Sequence, residues 1–200
     1  NLSATLTTSG GSGVVGKTVD FTLNGSSVGS AATNASGVAS LSGVSLTGIN
    51  AGTYPTGVAA SFAGDTEYVA SNGNQSFTVN PKGLTITGLL ANDKTYDRTT
   101  TATFNLVGAS LVGVIAPDSV NIDSSAATGT FASANAGAHA VTASGFDVNN
   151  ANYVLSAQPT VPNATIDPKG LTITGVVANN KTYDQTSVAT LNLASASLVG

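Results

Sequence analysis

Apolar and polar residues alternate with period two along most of the chain. In "KTVDFTL" (17–23), Val19, Phe21 and Leu23 fall on one face and Thr18, Asp20 and Thr22 on the other. The same alternation places Leu84 and Ile86 together in "GLTITG", Ala102, Phe104 and Leu106 in "TATFNL", and Val120 and Ile122 in "SVNID". A period of two is the signature of strands with one buried face. No run of ten or more residues carries helical apolar spacing, and recurrent Gly, Thr and Val disfavour helices. Turn chemistry separates the strands at "LNGSS" (23–27), "ASGV" (35–38), "AGDTE" (63–67) and "VNNAN" (148–152). The pattern predicts an all-β chain of antiparallel β-sandwiches.

An internal repeat divides the chain. "PKGLTITGLLANDKTYDRTTTATFNLVGASLVG" (81–113) returns as "PKGLTITGVVANNKTYDQTSVATLNLASASLVG" (168–200), with roughly three-quarters of positions identical. Pro81 and Pro168 each follow an Asx residue, Asn80 or Asp167, at a joint between modules. The expected domains are residues 1–80, 81–167 and an incomplete third, 168–200. The first module echoes the second: "NAGTY" begins at Asn50 and "NAGAH" at Asn135, each 18 residues before a Tyr, Tyr68 or Tyr153. Val19, Phe21, Leu23, Phe62 and Phe77 are the expected core of the first module. Leu84, Ile86, Phe104, Leu106, Phe131, Tyr153, Leu155 and Ile166 are that of the second.

Composition narrows the functions. Charged residues are 8% of the chain, against about 25% in ordinary soluble domains. The six basic residues are scattered and the net charge is −4, which argues against nucleic-acid binding. Cys is absent, excluding disulfides and thiolate metal sites. No apolar run reaches the length of a membrane span, and no signal peptide is present. A chain beginning at Asn1 and lacking Met reads as an interior window of a longer polypeptide.

Residues 15–79 resemble a bacterial Ig-like repeat, through "GKTVDFTLNG", "NASGVASL" and "AGDTEY". Residues 81–167 resemble the YDG repeats of large secreted adhesins of the filamentous-haemagglutinin kind, through "KTYD", "TTTAT", "GTFASANAGAHAVTASGF" and "NNANYVL". The resemblance implies tandem Ig-like sandwiches arranged end to end in an extracellular or cell-surface stalk or fibre. Where the YDG pattern has Gly, this chain has Arg98 and Gln185. A turn that tolerates them reads as architecture.

Candidate chemistry is sparse. Tyr96 with Asp97, and Tyr183 with Asp184, have the residue types of a glycan platform, an aromatic face beside a hydroxyl-binding carboxylate. They equally have those of a corner in which Tyr packs and Asp caps a turn. Asp147, Asn149, Asn150 and Asn152 cluster their oxygens in one turn, a possible calcium site. Lys17 with Asn80 and Lys94 with Asn163 are candidates for an amide cross-link, although Asp20 faces the wrong way to assist the first. Asp65 and Glu67 are the closest carboxylate pair and read as a solvated loop tip, and His139 is the only His. No catalytic constellation emerges, so the chain is expected to be no enzyme and to need no cofactor.

Residues 168–200 offer too little core to stand alone. Leu171, Ile173, Leu191 and Leu193 should present an open apolar face, completed by neighbouring modules or by another copy of the protein. The expected role is structural, with a glycan- or surface-binding module as the alternative.

Overall fold

The computed structural model describes residues 1–200. The chain is all-β, with no helix and many small antiparallel sheets. It forms two compact units, residues 1–83 with 150–154, and residues 84–149 with 155–200.

In the first unit a four-stranded sheet has the order Ser26–Ala32, Thr18–Leu23, Gly52–Phe62, Ser71–Val79. Thr18–Leu23 buries Val19, Phe21 and Leu23 and leaves Thr18 and Asp20 outside, as its alternation requires. It turns into Ser26–Ala32 at Asn24-Gly25, both with positive φ, the geometry that matches strand twist in a two-residue hairpin. A separate antiparallel pair, Leu2–Thr5 with Val38–Leu41, packs Leu2, Ala4, Ala39 and Leu41 against Val19 and Phe21. Phe62 is buried, whereas Phe77 is only half-buried. Phe77 lies on the last strand of the sheet, where it stacks on Tyr54 with ring centroids 4.9 Å apart.

The second unit is built from shorter strands around two apolar clusters. Phe131, Val141, Ala164 and Ile166 pack with Ala102 and with half-buried Ala91, Tyr96 and Phe104. Ile86, Leu89, Ala143 and Phe146 form the other cluster, joined by Leu106, Leu111 and Leu155 at its margin. Phe104 meets Phe146 edge to face at 5.2 Å and touches both clusters. Leu84 is buried, as expected, while Phe104, Leu106 and Leu155 are half-buried; Tyr153 is buried but belongs to residues 150–154 of the first unit. Ala164–Asp167 departs from the antiparallel expectation and runs parallel to Lys94–Thr95, with Ile166 opposite Lys94.

The echo between "NAGTY" and "NAGAH" is a shared corner. Tyr54 donates its hydroxyl to the Asn50 carbonyl at 2.8 Å, and His139 Nε2 lies 2.8 Å from the Asn135 carbonyl oxygen. Gly52 pairs with Val79 and Gly137 with Ile166, each partner standing two residues before a proline.

Residues 168–200 reproduce the opening strands of the preceding repeat. Thr172–Thr174 pairs with Ser197–Val199 in the register of Lys82–Thr87 with Ser110–Val112: Ile173 faces Leu198 as Ile86 faces Leu111. Val177–Ala178 pairs with Leu191–Asn192 as Leu90–Ala91 pairs with Phe104–Asn105. Leu171, Ile173, Leu191 and Leu193 are all exposed.

Candidate functional site

The Lys-Thr-Tyr-Asp corner is organised by one ammonium group. Lys94 extends from its short strand and places Nζ 2.8 Å from Asp97 Oδ1, 2.8 Å from both the Thr99 carbonyl and hydroxyl, and 3.1 Å from the Thr101 carbonyl. Its charge also lies 5.6 Å from the centre of the Phe131 ring, close enough for a cation–π contribution. Asp97 Oδ1 accepts from the Thr99 N–H and hydroxyl, both at 2.8 Å, closing an Asx turn. The Lys94 ammonium, followed by the Thr99 donors, holds the Asp97 carboxyl down at about 2.

Tyr96 is half-buried against the Phe131–Ile166 cluster, and its backbone N–H donates to the Asp167 carbonyl at 2.8 Å. Arg98 follows with φ 69°, a left-handed conformation that Gly adopts freely and other residues adopt at a cost.

The second copy repeats the geometry. Lys181 Nζ reaches Asp184 Oδ1 at 2.7 Å, the Thr186 hydroxyl at 2.8 Å and the Val188 carbonyl at 3.0 Å. Asp184 accepts from the Thr186 N–H and hydroxyl, and Lys181 heads the causes that lower its carboxyl. Gln185 has φ 60°. Tyr183 differs from half-buried Tyr96 in being 86% exposed.

A cleft of about 570 Å³ adjoins the first corner, lined by Tyr96, Asp97, Arg98, Asn135, Lys169 and Leu171 among others. An aromatic edge, a carboxylate, an amide and two cations have the chemistry to hold a polar ligand. The Asp97 oxygen that faces Lys94 is already saturated, so its other oxygen is the one left for such contacts.

The four candidate calcium ligands point to separate backbone donors. Asp147 Oδ1 accepts from Val148, Asn149 Oδ1 from Asn121, Asn150 Oδ1 from Asn152, and Asn152 Oδ1 from Ala51. No group of three or more His, Cys, Asp or Glu residues converges anywhere in the chain.

Asp65 and Glu67 stand exposed on their turn, as expected, and share one cation. Lys17 Nζ lies 2.7 Å from Asp65 Oδ2 and 3.0 Å from Glu67 Oε2, and 5.1 Å from the Tyr68 ring centre. Asp65 Oδ1 caps the turn by accepting from the Glu67 and Tyr68 N–H groups. The cluster raises the Lys17 pKa, chiefly through Asp65. Lys17 and Lys94 therefore both end on carboxylates of turns, and neither is paired with the Asn residue proposed for an amide cross-link. Forty-eight residues separate Lys17 from Asp65, and no local sequence signal reports their meeting.

No helix is long and apolar enough to cross a membrane. Neither the curated proteins nor the solved structures give a match to this chain. A YDG domain is found at residues 80–161.

Proposed function

We propose that this chain is a structural segment of a repetitive extracellular fibre, stalk or adhesin, giving reach and mechanical continuity. In this reading residues 1–80 are an Ig-like sandwich, residues 81–167 a YDG-type sandwich in tandem with it, and residues 168–200 part of another YDG-type repeat. The observation that carries it is the corner built twice. Lys94, Asp97 and Thr99 make the same bonds as Lys181, Asp184 and Thr186, 87 positions on. Those bonds tie the ammonium group and one carboxylate oxygen of the motif into holding a turn, which is the behaviour of a duplicated building block. Electron microscopy of intact cells that make the protein, labelled with antibodies to residues 1–200, should show label on material projecting from the surface. Label confined to the cell interior overturns the proposal.

Glycan binding is the second reading, favoured by exposed Tyr183 and by the cleft beside Tyr96. A glycan-array signal abolished by Tyr183→Ala or Tyr96→Ala, with the fold intact, would establish it.

A further inference from the structure

We infer that the apolar face of residues 168–200 is the receptor half of a split YDG-type sandwich. Its occupant is a β-segment with the residue pattern of residues 114–167.

The chain carries its own control. Leu84 and Ile86 are 1% and 7% exposed, while Leu171 and Ile173, at the same places in the second copy, are 58% and 70% exposed. Local structure does not account for the difference, because the two hairpins share their registers residue for residue. What differs is the cover. In the first copy the cover consists of Phe131, Val141, Ala143, Phe146, Ala164 and Ile166, all from the part of the repeat that follows residue 113.

The backbone makes the same statement. Lys94–Thr95 is a strand because Ile166–Asp167 pairs with it, and Thr101–Ala102 because Gly129 and Thr130 pair with it. The equivalent residues, Lys181–Thr182 and Val188–Ala189, form no strand. The strands of 168–200 that survive are those whose partners lie inside 168–200. The half-repeat is thus preformed on its inner pairings and unsatisfied on its outer strand edges and one apolar face, and the missing groups are those of a second half. A second identical copy is a poor source, since its residues 114–167 already cover its own Ile86, Leu89 and Phe104.

This inference does not rest on the fibre reading, and surface labelling tests that separately. The experiment is to fuse a copy of residues 114–167 after Gly200 and follow amide hydrogen exchange at residues 171–198. Amides at 181–182 and 188–189 should slow by at least about a hundredfold relative to the 200-residue chain, reaching the protection of 94–95 and 101–102. A control fusion carrying Phe131→Ser and Ile166→Ser in the added copy should leave them fast. Unchanged exchange in the intact fusion overturns the inference. So does protection that appears in the unfused chain on raising its concentration, because the occupant would then be a second copy.

Discussion

Lys94 Nζ lies 2.8 Å from Asp97 Oδ1, and this contact is the keystone of the corner that follows the first strands of the repeat. Both groups reach it from within a few residues, so its existence depends on the turn and not on distant packing. The turn in turn depends on the carboxylate staying charged.

The acid response of the chain should therefore report Asp97. Its folded pKa of about 2 lies below the ordinary 3.8, so the carboxylate favours the folded state above pH 4, and that contribution is lost as pH falls through 2. Asp97→Asn should lower the melting temperature at neutral pH, and the gap from the wild-type chain should close between pH 4 and pH 2. Melting curves across that range, with a carboxyl NMR titration of Asp97, check it. A gap that is independent of pH would show that the charge is immaterial.

Arg98→Gly should stabilise the chain slightly. A side chain at φ 69° costs about 1–2 kcal/mol, against about 0.5–1 kcal/mol of backbone entropy lost by Gly, leaving a gain of about 0.5 kcal/mol. Arg98→Val should destabilise, since a β-branched residue fits this conformation worst. Urea midpoints of the three proteins should fall in the order Gly, Arg, Val. A Gly variant less stable than the Val variant would mean that the Arg98 side chain makes a contact the turn needs.

Much of this architecture was legible in the sequence, and the parts that were not share a physical cause. Val19, Phe21 and Leu23 announce their burial by alternation, and the twin corners announce themselves by repetition. Leu89 and Phe146 are as buried as any of these yet lie outside the alternating runs. Each follows a positive-φ glycine, Gly88 or Gly145, where the chain reverses and throws an apolar residue inward. Phe77 misled in the other direction, because alternation reveals which face a strand buries and not whether another strand lies beside it. The Lys17–Asp65 pair and the parallel Lys94–Ile166 register are non-local, and period-two reasoning is silent about both.

Removing metal should change little. The oxygens of Asp147, Asn149, Asn150 and Asn152 already accept backbone N–H groups, and only one of the four side chains is a carboxylate. A hard cation would need several of these oxygens turned toward one point. Melting temperatures in excess chelator and in millimolar calcium should agree within a few degrees. A large rise with calcium, abolished by Asp147→Ala, would show that the turn rearranges to bind it.

The two copies of one hairpin also permit a matched mutational test, in which sequence and register are held nearly constant and only the environment changes. Leu84→Ala removes a side chain from a fully covered site, so it should cost about 2–5 kcal/mol through lost burial and the cavity left behind. Leu171→Ala removes the same atoms from a site open to water, so it should fall within about 0.5 kcal/mol of zero. Ile86→Ala and Ile173→Ala should divide the same way. The comparison is informative because residue type, hairpin register and turn chemistry are matched between the members of each pair. Denaturant titrations of the four single variants supply the measurement. Equal costs at Leu84 and Leu171 would mean that residues 168–200 bury this face in solution without a further segment. In the chain extended by residues 114–167, Leu171→Ala should acquire the cost of Leu84→Ala, since the face would then have its cover.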